Sequence, residues 1–330
     1  MTPKHIQHTL QTLPSGDDLT IDCYEFEFAN NGPRIYIHSN LHGSEIIGTV
    51  ILKEVISYLE ENPYEQGKIK IIPCANPIAL IDKSYNGIQG RFSPITGTNW
   101  NRIFELDKDK YQNIKEAREY FKEQLEQNLP VEEKLAYMLK LLSCGADYLV
   151  DIHTSGMESV PYLFTNSQNH EIFSNLEANI HIETEERGIK RSFENYQNEN
   201  YDDIKDVHAC TWEVGTHNVI DEDLVETRKK QLIDFLDYVF GESEVKKHDP
   251  DQMVAKEKLK DIKAPYGGYY VWKYDGGEKI EAGDCFIKVY RPDSSNPKKI
   301  IAEQDMLLLN KNSGQACSEG EKIGEKILLD

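Results

Sequence analysis

IYIHSNLHGSEIIG, running from Ile35 to Gly48, decides how the rest of the chain is read. Its first half is a short, β-branched apolar run that predicts a buried strand starting at Arg34. Its second half turns polar and glycine-containing. From Ser44 onward Ile47, Val50, Ile51, Val55, Tyr58 and Leu59 recur at helical spacing, until Asn62-Pro63 stops the helix. Lys68 to Pro73 predicts a second strand, so strand, helix and strand form a βαβ unit with parallel strands. His42 and Glu45 sit at the strand-to-helix junction, three residues apart. At that separation two side chains lie on one side of a turn and can converge on one ion, and imidazole nitrogen and carboxylate oxygen are both zinc ligands. Alone, His-x-x-Glu arises often by chance. Its position gives it weight, because sites in open α/β sheets lie at the carboxyl ends of strands.

Working outward, residues 1–34 read as a lead-in with a strand or two, and Cys23 to Phe28 alternates with period two as an edge strand would. Asn76-Pro77 opens a long polar loop reaching Asn101, and loops of that length in compact domains are usually functional or mobile. Residues 109–143 predict an antiparallel helix pair divided at Pro130, its charges forming a solvated face. Asp147 to His153 and His208 to Val214 predict strands, and Asp221 to Phe240 a helix. Residues 168–206 are polar and without period. Composition changes near Gly241, where GESEVKKHDPDQ reads as a linker. Short strands punctuated by glycines follow. The expected fold is α/β, a mixed, mostly parallel sheet flanked by helices over residues 1–245, followed by a small all-β domain over residues 246–330.

The 330 residues carry a formal net charge of -20. Such a field repels nucleic acid and anionic membranes, which are set aside as partners, and a small anionic substrate would need local positive charge. The N-terminal MTPKHIQHTLQTLPSGDD has no apolar core of a signal peptide, and no apolar run reaches membrane-spanning length. Six scattered cysteines without a Cys-x-x-Cys pair read as reduced thiols, with the cytoplasm as the expected compartment.

Further residues extend the chemistry. His153 follows a strand, as His42 does. If the two strands are parallel, both histidines emerge at one sheet edge, and with Glu45 and an open position for water they make a catalytic zinc set. Asp151, two residues earlier, points to the same face as His153. It either orients a histidine ligand or caps nearby amides. Glu213, inside Thr211-Trp-Glu-Val-Gly215, is an acid in a buried strand. It suits a general base toward a zinc-activated water, the alternative being a buried ion pair. Asn101-Arg102 can grip a carboxylate. Arg91, in the same loop, either faces a developing oxyanion or is a surface arginine. His38 reads as a core histidine and His217 as a candidate for lining the site. His5, His8, His170, His181 and His248 read as exposed.

The ordered set His42-x-x-Glu45, Asn101-Arg102, His153 and Glu213 resembles the succinylglutamate desuccinylase/aspartoacylase family of zinc carboxypeptidase-like hydrolases, over roughly residues 33–240 and into the tail. The resemblance implies that His42, Glu45 and His153 bind one Zn2+ per chain and that Glu213 activates water. It also implies that Asn101 and Arg102 hold the carboxylate of an N-acyl amino acid and that Arg91 is the oxyanion arginine. Family members often carry Asp-Leu where this chain has Asn99-Trp100. Aspartoacylases use a further arginine shortly before the catalytic glutamate, and here none lies between Arg191 and Glu213. The turns Ala264 to Gly268 and Glu281 to Asp284 resemble a biotinyl/lipoyl-like module of barrel-sandwich type, without an attachment lysine motif. It is read as shaping the cleft or making a homo-oligomer contact.

The resulting expectation is a deacylase acting on an N-acyl amino acid or short peptide at a carbon-nitrogen bond other than a peptide bond. The alternatives are a zinc carboxypeptidase acting on peptides, a metal-bound interaction module without catalysis, and a purely structural α/β protein.

Overall fold

The computed structural model describes the chain except residues 30, 85–86, 167–168, 177, 179, 185–189, 202–203, 245–252, 313–315 and 330. The expected domain boundary, most of the linker and His248 lie outside the described residues. Two antiparallel strands come first, β1 (Lys4–Thr12) and β2 (Asp18–Ala29). The expected βαβ unit follows as β3 (Arg34–Ser39), α1 (Ile47–Glu61) and β4 (Gly67–Ile72), with β3 and β4 parallel. β2 is not the edge strand its alternation suggested. It pairs with β1 on one side and β4 on the other, because the polar Lys4–Thr12 segment supplies an outer strand.

The long polar loop contains more structure than its composition predicts. Asn76 caps α2 (Pro77–Ile81) by accepting from the Ala79 amide at 3.2 Å, with proline at the first helical position. A hairpin of β5 (Lys83–Ser84) and β6 (Gly87–Ile88) follows. The expected helix pair is α3 (Ile114–Leu125) and α4 (Val131–Ser143), packed on each other. Next come β7 (Tyr148–His153), β8 (Glu158–Ser159), β9 (Tyr162–Thr165), β10 (His181–Glu183), α5 (Phe193–Asn200), β11 (His208–Glu213), α6 (Glu222–Val239) and β12 (Met253–Ala255).

Nine of these strands form one sheet in the order β1-β2-β4-β3-β7-β11-β9-β10-β12. Its centre, β4-β3-β7-β11, is parallel throughout, while β11 meets β9 antiparallel. The sheet is therefore mixed and mostly parallel, and helices cover both faces. Ile35, Ile37, Val150, Ile152 and Trp212 pack with α1 and α6 on one face. Tyr36, Leu149 and Ala209 pack with α3, α4 and α5 on the other. Burial on both faces explains why β3 reads as a continuous apolar run. Each isoleucine or leucine that α1 buries contributes roughly 1.5–3 kcal/mol. Burial also reaches a histidine expected to be exposed. His181 is fully buried, with its Nδ1 2.7 Å from Nδ1 of His170, because it opens β10, a strand paired on both sides within the sheet.

The tail is all-β, as expected. It comprises β13 (Leu259–Lys263), β14 (Gly268–Trp272), β15 (Lys279–Ile280), β16 (Cys285–Tyr290), β17 (Lys298–Ile301), β18 (Met306–Lys311), β19 (Ala316–Cys317) and β20 (Lys322–Leu328). They form two four-stranded arrays, β13-β20-β18-β15 and β17-β16-β14-β19, enclosing Tyr270, Phe286, Ile287, Met306 and Leu308. β8 pairs with β18, so the tail is hydrogen-bonded to the segment that follows β7.

One close approach fixes the loop that carries Arg91. The Gly43 amide donates to the Gly90 carbonyl at 2.9 Å, and a Cβ on Gly43 would meet the Ala79 carbonyl oxygen at 2.0 Å. The backbones touch where no side chain fits. Gly43→Ala is expected to cost about 1–3 kcal/mol, read as a lower urea midpoint. Gly267→Ala, where an added Cβ meets only ordinary contacts, should stay within about 0.5 kcal/mol of the parent. Equal stability of the two variants would refute the close approach.

Candidate metal centre and active site

β3, β7 and β11 each end in a residue or turn that carries chemistry, and register places these ends together. His38 lies opposite Asp151 and His153 opposite Glu213. After β3 the chain turns through Asn40, whose φ of 57° is a left-handed value that asparagine tolerates. The Asn40 side chain donates to the His42 carbonyl at 2.9 Å. The turn presents His42, and Glu45 follows just before α1.

The Glu45 carboxylate is the centre of the group. Its Oε1 lies 2.9 Å from Nδ1 of His42 and its Oε2 2.7 Å from Nδ1 of His153. The Thr154 amide donates to Oε2 at 3.3 Å. Burial would raise the Glu45 carboxyl, but the two imidazoles outweigh it and hold the group well below the usual carboxylate range. For His153 burial opposes protonation, while Asp151 and Glu45 raise it well above the ordinary histidine value.

The far nitrogens of both rings are occupied. Nε2 of His42 faces Oδ1 of Asn99 at 3.0 Å, and that oxygen also accepts from the Asn101 amide. Nε2 of His153 lies 2.8 Å from Oδ1 of Asp151, which also receives Nε2 of His38 at 2.7 Å. Nδ1 of His38 in turn lies 3.1 Å from the Tyr36 hydroxyl. An acceptor thus stands behind each Nε2, and both Nδ1 atoms are directed at Glu45. Burial raises Asp151, but His153 and His38 pull it below its usual value.

Donor atoms of His42, Glu45 and His153 all lie within 4.8 Å of one another, and the three are buried. Two imidazole nitrogens and a carboxylate oxygen, each imidazole backed by an acceptor, suit a zinc ion. The residues therefore fit the metal.

These side chains open onto a cavity of about 760 Å³. Glu213 is half-buried on its wall, its Oε2 shielded and without a hydrogen-bond partner among the described residues. Burial pushes its carboxyl up to about 8, with His153 opposing and Glu45 adding to the shift. Arg91, half-exposed, comes within 3.8 Å of Glu45. Arg102 is partly buried and donates to the Asn101 carbonyl. Burial and the neighbouring Arg91 lower its guanidinium from its ordinary value. The Asn101 amide oxygen accepts from the Phe193 backbone at 2.8 Å, and its Nδ2 lies 3.3 Å from His153.

All seven expected site residues line the cavity or hold its back wall, and His217 joins them, 2.7 Å from the Thr154 hydroxyl. Sequence reasoning missed several partners. Asn99 stood out only as a departure from Asp-Leu, yet it positions His42. His38 read as a core histidine, which its burial bears out, but it also supports Asp151. Glu194, Lys322 and Glu325 on the cavity wall gave no local signal, because helix packing and the tail bring them there.

The model of the succinylglutamate desuccinylase/aspartoacylase catalytic domain matches residues 31–239. Among solved structures, a succinylglutamate desuccinylase/aspartoacylase from Shewanella frigidimarina NCIMB 400 is similar at 22% identity and a TM-score of 0.86, over 99% of this chain and 98% of that one. A family protein from Shewanella amazonensis SB2B is similar at 20% identity and a TM-score of 0.84, over 98% of both chains. The product-bound ectoine utilization protein EutE (DoeB) from Ruegeria pomeroyi is similar at 18% identity and a TM-score of 0.74, over 99% of this chain and 95% of that one. At these identities the likeness is one of fold. No curated protein matches the chain. With a family model covering well over half of its length, and the His42-Glu45-His153 group and strand-end glutamate inside the matched region, the chain belongs to the succinylglutamate desuccinylase/aspartoacylase family of hydrolytic deacylases.

Proposed function

We propose that the chain is a zinc-dependent deacylase that hydrolyses the amide bond of an N-acyl amino acid. The observation that carries this reading is the unpartnered Oε2 of Glu213, at the register position of His153, in the cavity that also holds Asn101 and Arg102. A zinc ion held by His42, Glu45 and His153, one per chain, would polarise the scissile carbonyl and acidify a water. Glu213 accepts the water proton and delivers it to the leaving amine. Its raised carboxyl is close to the operating range that suits a base which must later act as an acid. Arg91, on the open side, faces the carbonyl oxygen as it gains charge. Asn101 and Arg102 hold the substrate carboxylate, and the bond cut is then a carbon-nitrogen bond other than a peptide bond.

Access supports a small substrate over a polypeptide. Lys322 and Glu325 of β20, with Asn312, close one side of the cavity. No helix among the described residues is long and apolar enough to cross a membrane. No disulfide joins cysteines among the described residues, which accords with the reducing cytoplasm in which we place the protein.

Glu213→Gln is expected to keep its zinc and lose about 10²–10⁴-fold in kcat, measured as amine release from N-acyl amino acids. Parent-like turnover by this variant would sink the assignment. His153→Ala should lose its zinc on metal analysis of the folded fraction, and a full equivalent retained would remove His153 from the ligand set.

A further inference from the structure

Three acidic side chains of the cavity wall take no part in the chemistry proposed above. Glu325 is paired with Lys322 at 2.7 Å, and Asp82 accepts from the Gly90 amide at 3.3 Å. Glu194, among the described residues, has neither a cation nor a backbone amide on its carboxylate. It lies in the first turn of α5, is 2% exposed, and lines the cavity. Its two carboxyl oxygens receive only long contacts, from the Thr184 hydroxyl at 3.3 Å and the Thr211 hydroxyl at 3.5 Å. Among the described residues it makes no ion pair. Burial pushes its carboxyl up to about 8, with Asp151 adding to the shift and the two hydroxyls and Lys256 opposing it. An acid shut from water and ion-paired with no cation among the described residues is costly to keep, and this one lines the cavity.

Its neighbours say which part of a substrate would meet it. Phe193, the preceding residue, donates its amide to Asn101, so Glu194 is anchored beside the carboxylate clamp. Thr211 stands two residues before Glu213 on the same face of β11, so Glu194 lies on the side of the sheet where the amine would leave. An N-acyl amino acid held by Asn101 and Arg102 would direct its own side chain, not its acyl group, to this wall. A carboxylate there would face Glu194 and Asp151 in a poorly solvated corner. An ammonium would let Glu194 release its proton to water, and both charges would then be compensated.

We propose that Glu194, with Thr211 beside it, is the specificity-determining residue for the amine half of the substrate, selecting N-acyl amino acids whose side chain ends in an ammonium group over those ending in a carboxylate or a methyl. The proposal rests on the deacylase reading. With the zinc-loaded full chain, kcat/KM is compared for Nα-acetyl-L-ornithine, N-acetyl-L-norvaline and N-acetyl-L-glutamate. The parent should prefer the ornithine derivative by about tenfold or more. Glu194→Gln should shrink that preference to within about threefold. Glu194→Asp, one methylene shorter, should shift the optimum toward Nα-acetyl-L-lysine. A structural role would lower all rates in parallel and leave the ratios alone. Retention of the ornithine preference in Glu194→Gln, or a parent that favours the glutamate or norvaline derivative, overturns the proposal. Calorimetric binding of L-ornithine and L-norvaline to the same proteins separates the two readings. If none of the acetylated compounds turns over, the deacylase reading fails. Ornithine binding that depends on Glu194 would then still support the site, and its absence would overturn it.

Discussion

A carboxylate removed from water must be neutralised by what surrounds it, and Glu45, 1% exposed, sets that demand for the whole site. Its two oxygens are shared between His42 and His153, and the demand passes backward. His153 leans on Asp151, Asp151 on His38, and His38 on the Tyr36 hydroxyl. Removing one member of such a chain strands the next in a place where solvent cannot compensate it. The chain of contacts runs across the adjacent parallel strands β3 and β7. The order of the sheet and the orientation of the two imidazoles are thus parts of one electrostatic requirement. The back of the site is arranged before anything enters the cavity.

The outer side of the cavity is built on the opposite principle. Arg91 is half-exposed, Glu213 keeps an oxygen without a partner, and Glu194 is held by two long contacts. On the proposed function these are the groups left to meet a substrate, since a group already satisfied by the protein has no bond to offer. The contrast between a closed network behind the histidines and open valences in front separates positioning from recognition.

Much of this was legible in the sequence because periodicity carries the information. The β3-α1-β4 unit, the strands ending at His153 and Glu213, and α6 all show repeating burial, and strand ends mark sites in parallel sheets. His42, His153 and Glu213 were therefore visible as polar residues terminating apolar runs. Other features depend on partners remote in sequence. β2 looked like an edge strand because nothing in its alternation reports that β1 will cover it. Asn99 could be seen as unusual, but its bond to His42 spans 57 residues. Glu194 lies in a polar stretch without period, where α5 is set by a Ser192 cap and by packing on β7 and β11. Lys322 and Glu325 reach the cavity only through the pairing of the tail.

That pairing divides the molecule in a further way. The residues around Glu45 are braced by the two cores of the nine-stranded sheet, whereas Lys322 and Glu325 stand on β20, whose Ile323 packs in the core of the tail and whose Ile327 packs with Leu309 against Tyr162, Ile180 and Ile182 of the sheet region. The two parts meet through β8 and β18, the Asn310–Ser155 bond at 2.9 Å and the Lys311–Glu158 contact at 2.8 Å. The last strand therefore does two things within seven residues. It lends Lys322 and Glu325 to the cavity wall, and through Ile327 it ties the tail to the sheet, so a change of shape at the mouth is also a change at the seam.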